Sequence, residues 1–236
     1  MSGPVPERHP GPLALVGGRE WGDGCTFDAR LLAESGANEV LVLPTAAAYE
    51  HPQRAVDRAS AWFATLGAEV RGLMVLSRAD AEDEDNARVV RSARFVYLAD
   101  GSPMHVRSVL KQSKVWHALD QAWEDGAVVA GSGAGAMILG DPMIDPRGGA
   151  FTIGLALIEL IAVLPAPSTW SSERVRRTIS LAPAEVALVA VDEATAVIRE
   201  RSGEWTAEGV GSVEVHIGGG RADLDALRRR DADASG

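Results

Sequence analysis

Cysteine is almost missing from this chain: Cys25 stands alone among 236 residues. One thiol excludes an intramolecular disulfide and a zinc centre built on thiolates. No apolar run approaches the roughly 20 residues of a membrane span. Met1–Pro12 carries proline and charge but no apolar core of a secretory signal, so a cytoplasmic protein is expected. Positive charge is also short. Lys and Arg number 23 against 33 Asp and Glu, giving a formal charge of −10 and a pI near 5.0. That balance argues against nucleic acid and against an anionic membrane as partners. Internal repeats are absent, as is any linker between domains.

What is present suits a globular domain. Apolar residues make up 46% and charged residues 24%, which rules out a wholly disordered chain, and the length fits a single α/β domain. Residues 1–12 and 228–236 are expected to be flexible tails around a domain spanning 13–227. Leu13–Val16, Val40–Leu43, Val70–Leu76, Phe95–Leu98 and Ala127–Ala130 are dense in aliphatic residues without alternation, as strands buried on both faces are. Between them, Phe27–Glu34, Gln53–Leu66, Glu82–Ser92 and Val106–Glu124 have helical spacing, the last broken near Ser113. This order predicts a mostly parallel, doubly wound sheet flanked by helices. After Met143, short strands with turns predict a short antiparallel extension near the C-terminus, interrupted by one helix, Ser172–Leu181.

The segment Ala127-Val-Val-Ala-Gly131-Ser132-Gly133-Ala134-Gly135-Ala136 runs from a buried strand through small residues into a helix. That is the layout of a nucleophile elbow, G-x-S-x-G, in which a residue on a sharp turn stands at the sheet rim and a helix N-terminus supplies donors for an oxyanion. The position that should carry the nucleophile is Gly133. The same glycines also fit a loose dinucleotide fingerprint, but the turn follows the fifth strand rather than the first, and no acidic residue closes a second strand about twenty positions on.

The stretch resembles the G-[ST]-S-A-G-A motif of the peptidase S51 and cyanophycinase family of serine hydrolases. Val16-Gly17-Gly18, Leu43-Pro44-Thr45-Ala46, Leu98-Ala99-Asp100-Gly101-Ser102-Pro103 and Val191-Asp192-Glu193 extend the resemblance over most of the chain. The resemblance implies a class I glutamine-amidotransferase-like fold for 13–227. It also implies a serine where Gly133 stands and a histidine base shortly after a strand ending like Ala162-Val-Leu-Pro165. Here Ala166-Pro167-Ser168-Thr169-Trp170 follows, and no histidine lies between His117 and His216. Members commonly place glycines before the fourth-strand turn, where this chain has Ala99-Asp100. A serine hydrolase needs an activated oxygen and a group to take its proton, and neither is where the family keeps it. Cysteine at the elbow, which an amidotransferase would require, is missing too.

The expectation is a degenerate family member whose pocket is repurposed for a small-molecule ligand of unknown identity, or for non-hydrolytic chemistry such as cyclisation or isomerisation. Alternatives are a non-catalytic binding or scaffold partner of an active homologue, and a surviving serine hydrolase using Ser132. Ligands collect at the C-terminal ends of parallel strands. Candidate chemical groups there are Ser132, His51 and His105, against plainer readings as a turn hydroxyl, a loop histidine and a helix-start histidine. Candidate binding residues are Gly18, Glu20, Tyr49, Gly101, Gly133, Ala134, Ser168 and Trp170. Asp80–Asp85 is acidic but lacks the spacing of a calcium loop, no metal or cofactor is called for, and a homodimer is the default assembly.

Overall fold

The structure, a computed structural model, describes residues 10–234. The chain alternates strand and helix through its first 139 residues: β1 (Leu13–Val16), α1 (Phe27–Ser35), β2 (Glu39–Leu43), α2 (Pro52–Thr65), β3 (Glu69–Gly72), α3 (Arg78–Ala81), α4 (Glu84–Ser92), β4 (Phe95–Leu98), α5 (Pro103–Leu110), α6 (Lys114–Glu124), β5 (Val128–Ser132) and α7 (Ala134–Leu139). The five strands pair in parallel in the order β1-β5-β4-β2-β3. Successive side chains of a strand point to opposite faces. Thus Leu13, Leu15, Leu41, Leu43 and Leu98 enter one core, while Ala14, Val16, Val42, Phe95 and Tyr97 enter the other. Both faces are covered by helices, which is why these segments read as unbroken apolar runs.

The break expected near Ser113 is a cap. The Ser113 hydroxyl accepts from the Trp116 N–H at 3.1 Å and starts α6. Strand β3 is shorter than the sequence predicts. It ends at Gly72, where a Cβ would lie 2.7 Å from the Val56 side chain of α2.

The antiparallel part is larger than expected and divided. Thr195–Arg199 adds antiparallel to β1, and Trp205–Gly209 adds outside it, making a seven-stranded sheet. A separate four-stranded sheet joins Ile161–Pro165 in parallel to Ala187–Val191, then Val213–Ile217 and Gly220–Ala222 antiparallel. Trp205–Gly209 was invisible as a strand because only Trp205 in it is buried. Helix α8 (Ser172–Leu181) matches its expected bounds.

The expected tails are shorter. The expectation for residues 1–9 lies outside the described residues, but 10–12 are fixed. The Gly11 N–H donates to the Trp123 carbonyl, and the Trp123 indole donates back to the Gly11 carbonyl, each at 2.8 Å. At the other end, α9 (Asp225–Ala234) is helical where a tail was read. Leu227 is fully buried, and Arg199 Nε donates to Asp231 Oδ2 at 2.5 Å. A partner 32 residues away leaves no local trace in sequence. Among the described residues no helix is long and apolar enough to cross a membrane.

One buried charge stands out. Asp28, in the first turn of α1, is fully buried and accepts from Trp62 Nε1 at 2.8 Å, while its Oδ1 has no partner. Burial pushes its pKa up to about 7, with the Trp62 bond opposing and Glu20 and Glu208 reinforcing the rise. Between the ordinary carboxylate range and pH 7 the folded chain therefore holds a proton that the unfolded chain has released, so stability falls as pH rises across that window. Chemical denaturation at pH 5 and pH 8 should show this fall in the wild type. Asp28→Asn, which keeps an acceptor for Trp62, should flatten it and be the more stable protein at pH 8, by about 2 kcal/mol or more. An unchanged pH slope in the variant would remove Asp28 as its source.

Candidate functional site: a glycine elbow filled by a carboxylate

Strand β5 ends at Ser132, and the next residue, Gly133, turns the chain into α7 with φ 50° and ψ −110°. A side chain at such angles costs on the order of 1–3 kcal/mol, and glycine avoids that cost. The elbow is anchored by the Gly133 N–H, which donates to the Val16 carbonyl of the neighbouring strand at 3.0 Å. The chain thus makes the sharp strand-to-helix turn of a nucleophile elbow, with glycine at its apex.

The space where a side chain would stand is taken. A Cβ on Gly133 would fall 2.1 Å from Asp100 Oδ1 and 2.2 Å from Asp100 Cγ. Asp100 leaves β4 on the turn that continues through Gly101, whose φ of 145° and close approach to the Ala46 carbonyl both demand glycine. From that turn Asp100 Oδ1 accepts two backbone N–H groups, Gly101 and Ala134, each at 2.7 Å. Paired backbone donors are how acyl-transfer sites stabilise an oxyanion. Here the donors already hold a fixed anion of the chain itself.

The neighbouring hydroxyl, that of Ser132, is already engaged. Its side chain is fully buried, and its hydroxyl donates to Glu20 Oε2 at 2.9 Å. Glu20 in turn receives Arg58 Nη2 on its other oxygen at 3.4 Å. The remaining thiol is no better. Burial raises the Cys25 pKa from 9.0 to about 11, which keeps it protonated and unreactive at neutral pH. Tyr97 and Trp21, whose rings lie 5.3 Å apart, each bury a polar atom without a partner, the phenol hydroxyl and the indole N–H.

Above the elbow opens a cleft of about 630 Å³, walled by Arg19, Glu20, Arg54, Arg58, Asp100 and Gly101 among others. Two of the sequence-predicted residues, Glu20 and Gly101, line it. Gly133 and Ala134 form the elbow under Asp100, and Gly18 sits at the adjoining turn, its carbonyl accepting from Ala194 N–H at 2.8 Å. The others are not brought there. His51 is exposed with φ 61° just before α2, outside the lining. His105 Nε2 contacts the Leu76 carbonyl at 3.0 Å, and its ring meets Tyr49, itself 82% exposed, edge-on at 4.8 Å. Ser168 is exposed, and Trp170 carries the Arg174 guanidinium over its ring at 3.6 Å, in the loop after Ile161–Pro165. That loop opens at Ala166, held left-handed at φ 44°. Among the described residues no group of three or more His, Cys, Asp or Glu could hold a metal.

Sequence reasoning missed Arg54 and Arg58 as site residues. The signal was available. They lie one helical turn apart on the polar side of a helix that buries Ala55 and Ala59, directly after the rim loop.

The family model for peptidase family S51 matches residues 26–203. Cyanophycinases of Synechococcus elongatus and of Thermosynechococcus vestitus are each 28% identical over 157 residues, covering 62% of this chain and 49% of theirs. The chain thus spans about half the length of the curated relatives it matches. The crystal structure of a peptidase from an acI-B1 Actinobacterium superposes with a TM-score of 0.82 at 26% identity, covering 92% of this chain and 94% of that one. A putative peptidase E protein from Listeria monocytogenes EGD-e gives a TM-score of 0.67 at 17% identity, over 86% and 100% of the two chains, a likeness of fold.

The clash at the elbow makes residues 100 and 133 energetically coupled. Gly133→Ala should destabilise the wild type by more than the backbone term of about 1–3 kcal/mol. In an Asp100→Gly background the same change should cost only that backbone term, leaving a coupling energy of about 1 kcal/mol or more in a double-mutant cycle read by urea denaturation. Additive effects would mean that Asp100 does not occupy the elbow.

Proposed function

The chain belongs to peptidase family S51, and from that membership we propose that it is a degenerate member: not a serine peptidase, but a protein whose cleft binds a small molecule. One observation carries the reading. The nucleophile position is Gly133, and the Asp100 carboxylate fills the volume its side chain would need while occupying the Gly101 and Ala134 N–H groups.

Acyl transfer by a covalent route requires an attacking oxygen, a base beside it and an empty oxyanion cradle. The elbow has no side chain and the cradle is full. The loop at Ala166–Trp170, where the resemblance places the base, contains no histidine. The cleft nevertheless persists, with charged groups of both signs in its wall. Binding and orienting a ligand, or moving a proton within it as a cyclisation or isomerisation does, needs donors, acceptors and shape but no covalent intermediate. Asp100 Oδ2, which has no hydrogen-bond partner among the described residues, is the group best placed to meet such a ligand at the old point of attack.

Ser132 is the residue on which a hydrolase reading would rest, because its hydroxyl is bonded to a carboxylate. Full burial and the tie of Glu20 to Arg58 speak against it. A fluorophosphonate probe separates the two readings. The wild type should remain unlabelled, and Gly133→Ser combined with Pro167→His should recover little peptidase activity, because Asp100 still stands over the elbow. A covalent adduct on Ser132 in the wild type would overturn the proposal, while substantial recovery in the double variant would mean that the substrate site is still intact.

A further inference from the structure

Resting on the reading of a ligand cleft over a disarmed elbow, we propose that the cleft recognises an oxyanion, a carboxylate or phosphate group on a small molecule, through the guanidinium groups of Arg54 and Arg58. The backbone cradle that could otherwise take an anion is closed, since both of its N–H groups are spent on Asp100 Oδ1 at 2.7 Å. Anion recognition in this cleft therefore has to come from side chains, and three arginines stand in the wall.

These arginines hold carboxylates loosely or not at all. Other arginines of this acidic protein are matched with carboxylates at short range, although Arg94, Arg107 and Arg201 are held by backbone carbonyls instead. Arg30 meets Glu34, Glu200 and Glu208 at 2.9–3.0 Å, and Arg78 meets Glu82 at 2.6 Å. Arg54, in contrast, has no carboxylate partner among the described residues. Arg58 reaches Glu20 only at 3.4 Å with its side chain 63% exposed, and Glu20 is shared with the Ser132 hydroxyl. Arg19 is 75% exposed and approaches Glu193 at 3.8 Å. At i and i+4 on α2, Arg54 and Arg58 project from one face about 6 Å apart. Two flexible arginines whose Cβ atoms share one helix face can bring their forks to one oxyanion by charge-assisted hydrogen bonds. The Asp100 and Glu50 carboxylates in the same lining oppose a second anionic group, so the oxyanion is one end of the ligand and hydrogen-bond donors suit the other.

The test is a titration of the full chain with succinate and, separately, with inorganic phosphate at constant ionic strength, followed by calorimetry. At least one anion should bind saturably above a sodium chloride control, and the one that does identifies carboxylate or phosphate as the favoured group. Arg54→Gln with Arg58→Gln should weaken that binding about tenfold or more, with the melting temperature of the unliganded variant near that of the wild type because both side chains are exposed and glutamine at 58 keeps a donor for Glu20. Arg54→Lys with Arg58→Lys, which keeps charge but loses the forks, should fall between the two. Absence of saturable binding for both anions, or wild-type binding in the glutamine variant, would overturn the proposal. Either result would leave an unlabelled elbow, and so the degenerate reading, standing. Labelling of Ser132 would instead remove that reading whatever the anions do.

Discussion

Two backbone N–H groups, from the turn after β4 and from the first residue of α7, converge on one oxygen of Asp100. Much of the site follows from that convergence. It ties two neighbouring strands of the parallel sheet together at their C-terminal ends, where an active site would lie. It also places a carboxylate where a side chain at 133 would have to be. Glycine at 133 and aspartate at 100 therefore form a mutually dependent pair. Glycine tolerates the left-handed turn and leaves the room, while aspartate supplies the anion that the converging donors favour.

Behind the elbow lies a polar layer that a simple apolar core would not contain. Ser132 and Glu20 are hydrogen-bonded to each other, Asp28 is bonded to Trp62, and Tyr97 and Trp21 have buried polar atoms without partners. Burial of such groups opposes folding unless each is satisfied. The layer persists in a chain whose sheet is otherwise aliphatic on both faces. Its outer edge reaches the cleft through Glu20 and Arg58, so the walls of the cleft are held by the same buried groups that burden stability.

The parallel half of the fold was legible because its strands are short, aliphatic and separated by helices with clear caps. Leu13–Val16 and Phe95–Leu98 have the bounds their residues predict, as does the later helix Ser172–Leu181. The edge strand Trp205–Gly209 and the helix Asp225–Ala234 were not legible, because each is fixed by distant partners rather than by its own periodicity. At the site, the sequence places Gly133 at the turn after β5, and Asp100 stands out in it only as a departure from glycine. That Asp100 reaches back to residue 133 depends on the register of β4 beside β5, in which Leu98 lies opposite Gly131. Composition and spacing along the chain do not contain that register. The histidines had the right chemistry, but their local backbone turns them to Leu76 and to solvent.

The contact between Asp100 and the two backbone donors decides the state of the elbow. Scalar coupling across hydrogen bonds, measured by NMR between the amide nitrogens of Gly101 and Ala134 and the side-chain carboxyl carbon of Asp100, reads that contact itself. Couplings from both amides to the one carboxyl carbon are predicted. A carboxyl carbon coupled to neither amide would contradict the account, since the cradle would then be open and the elbow free to receive a ligand's own anion.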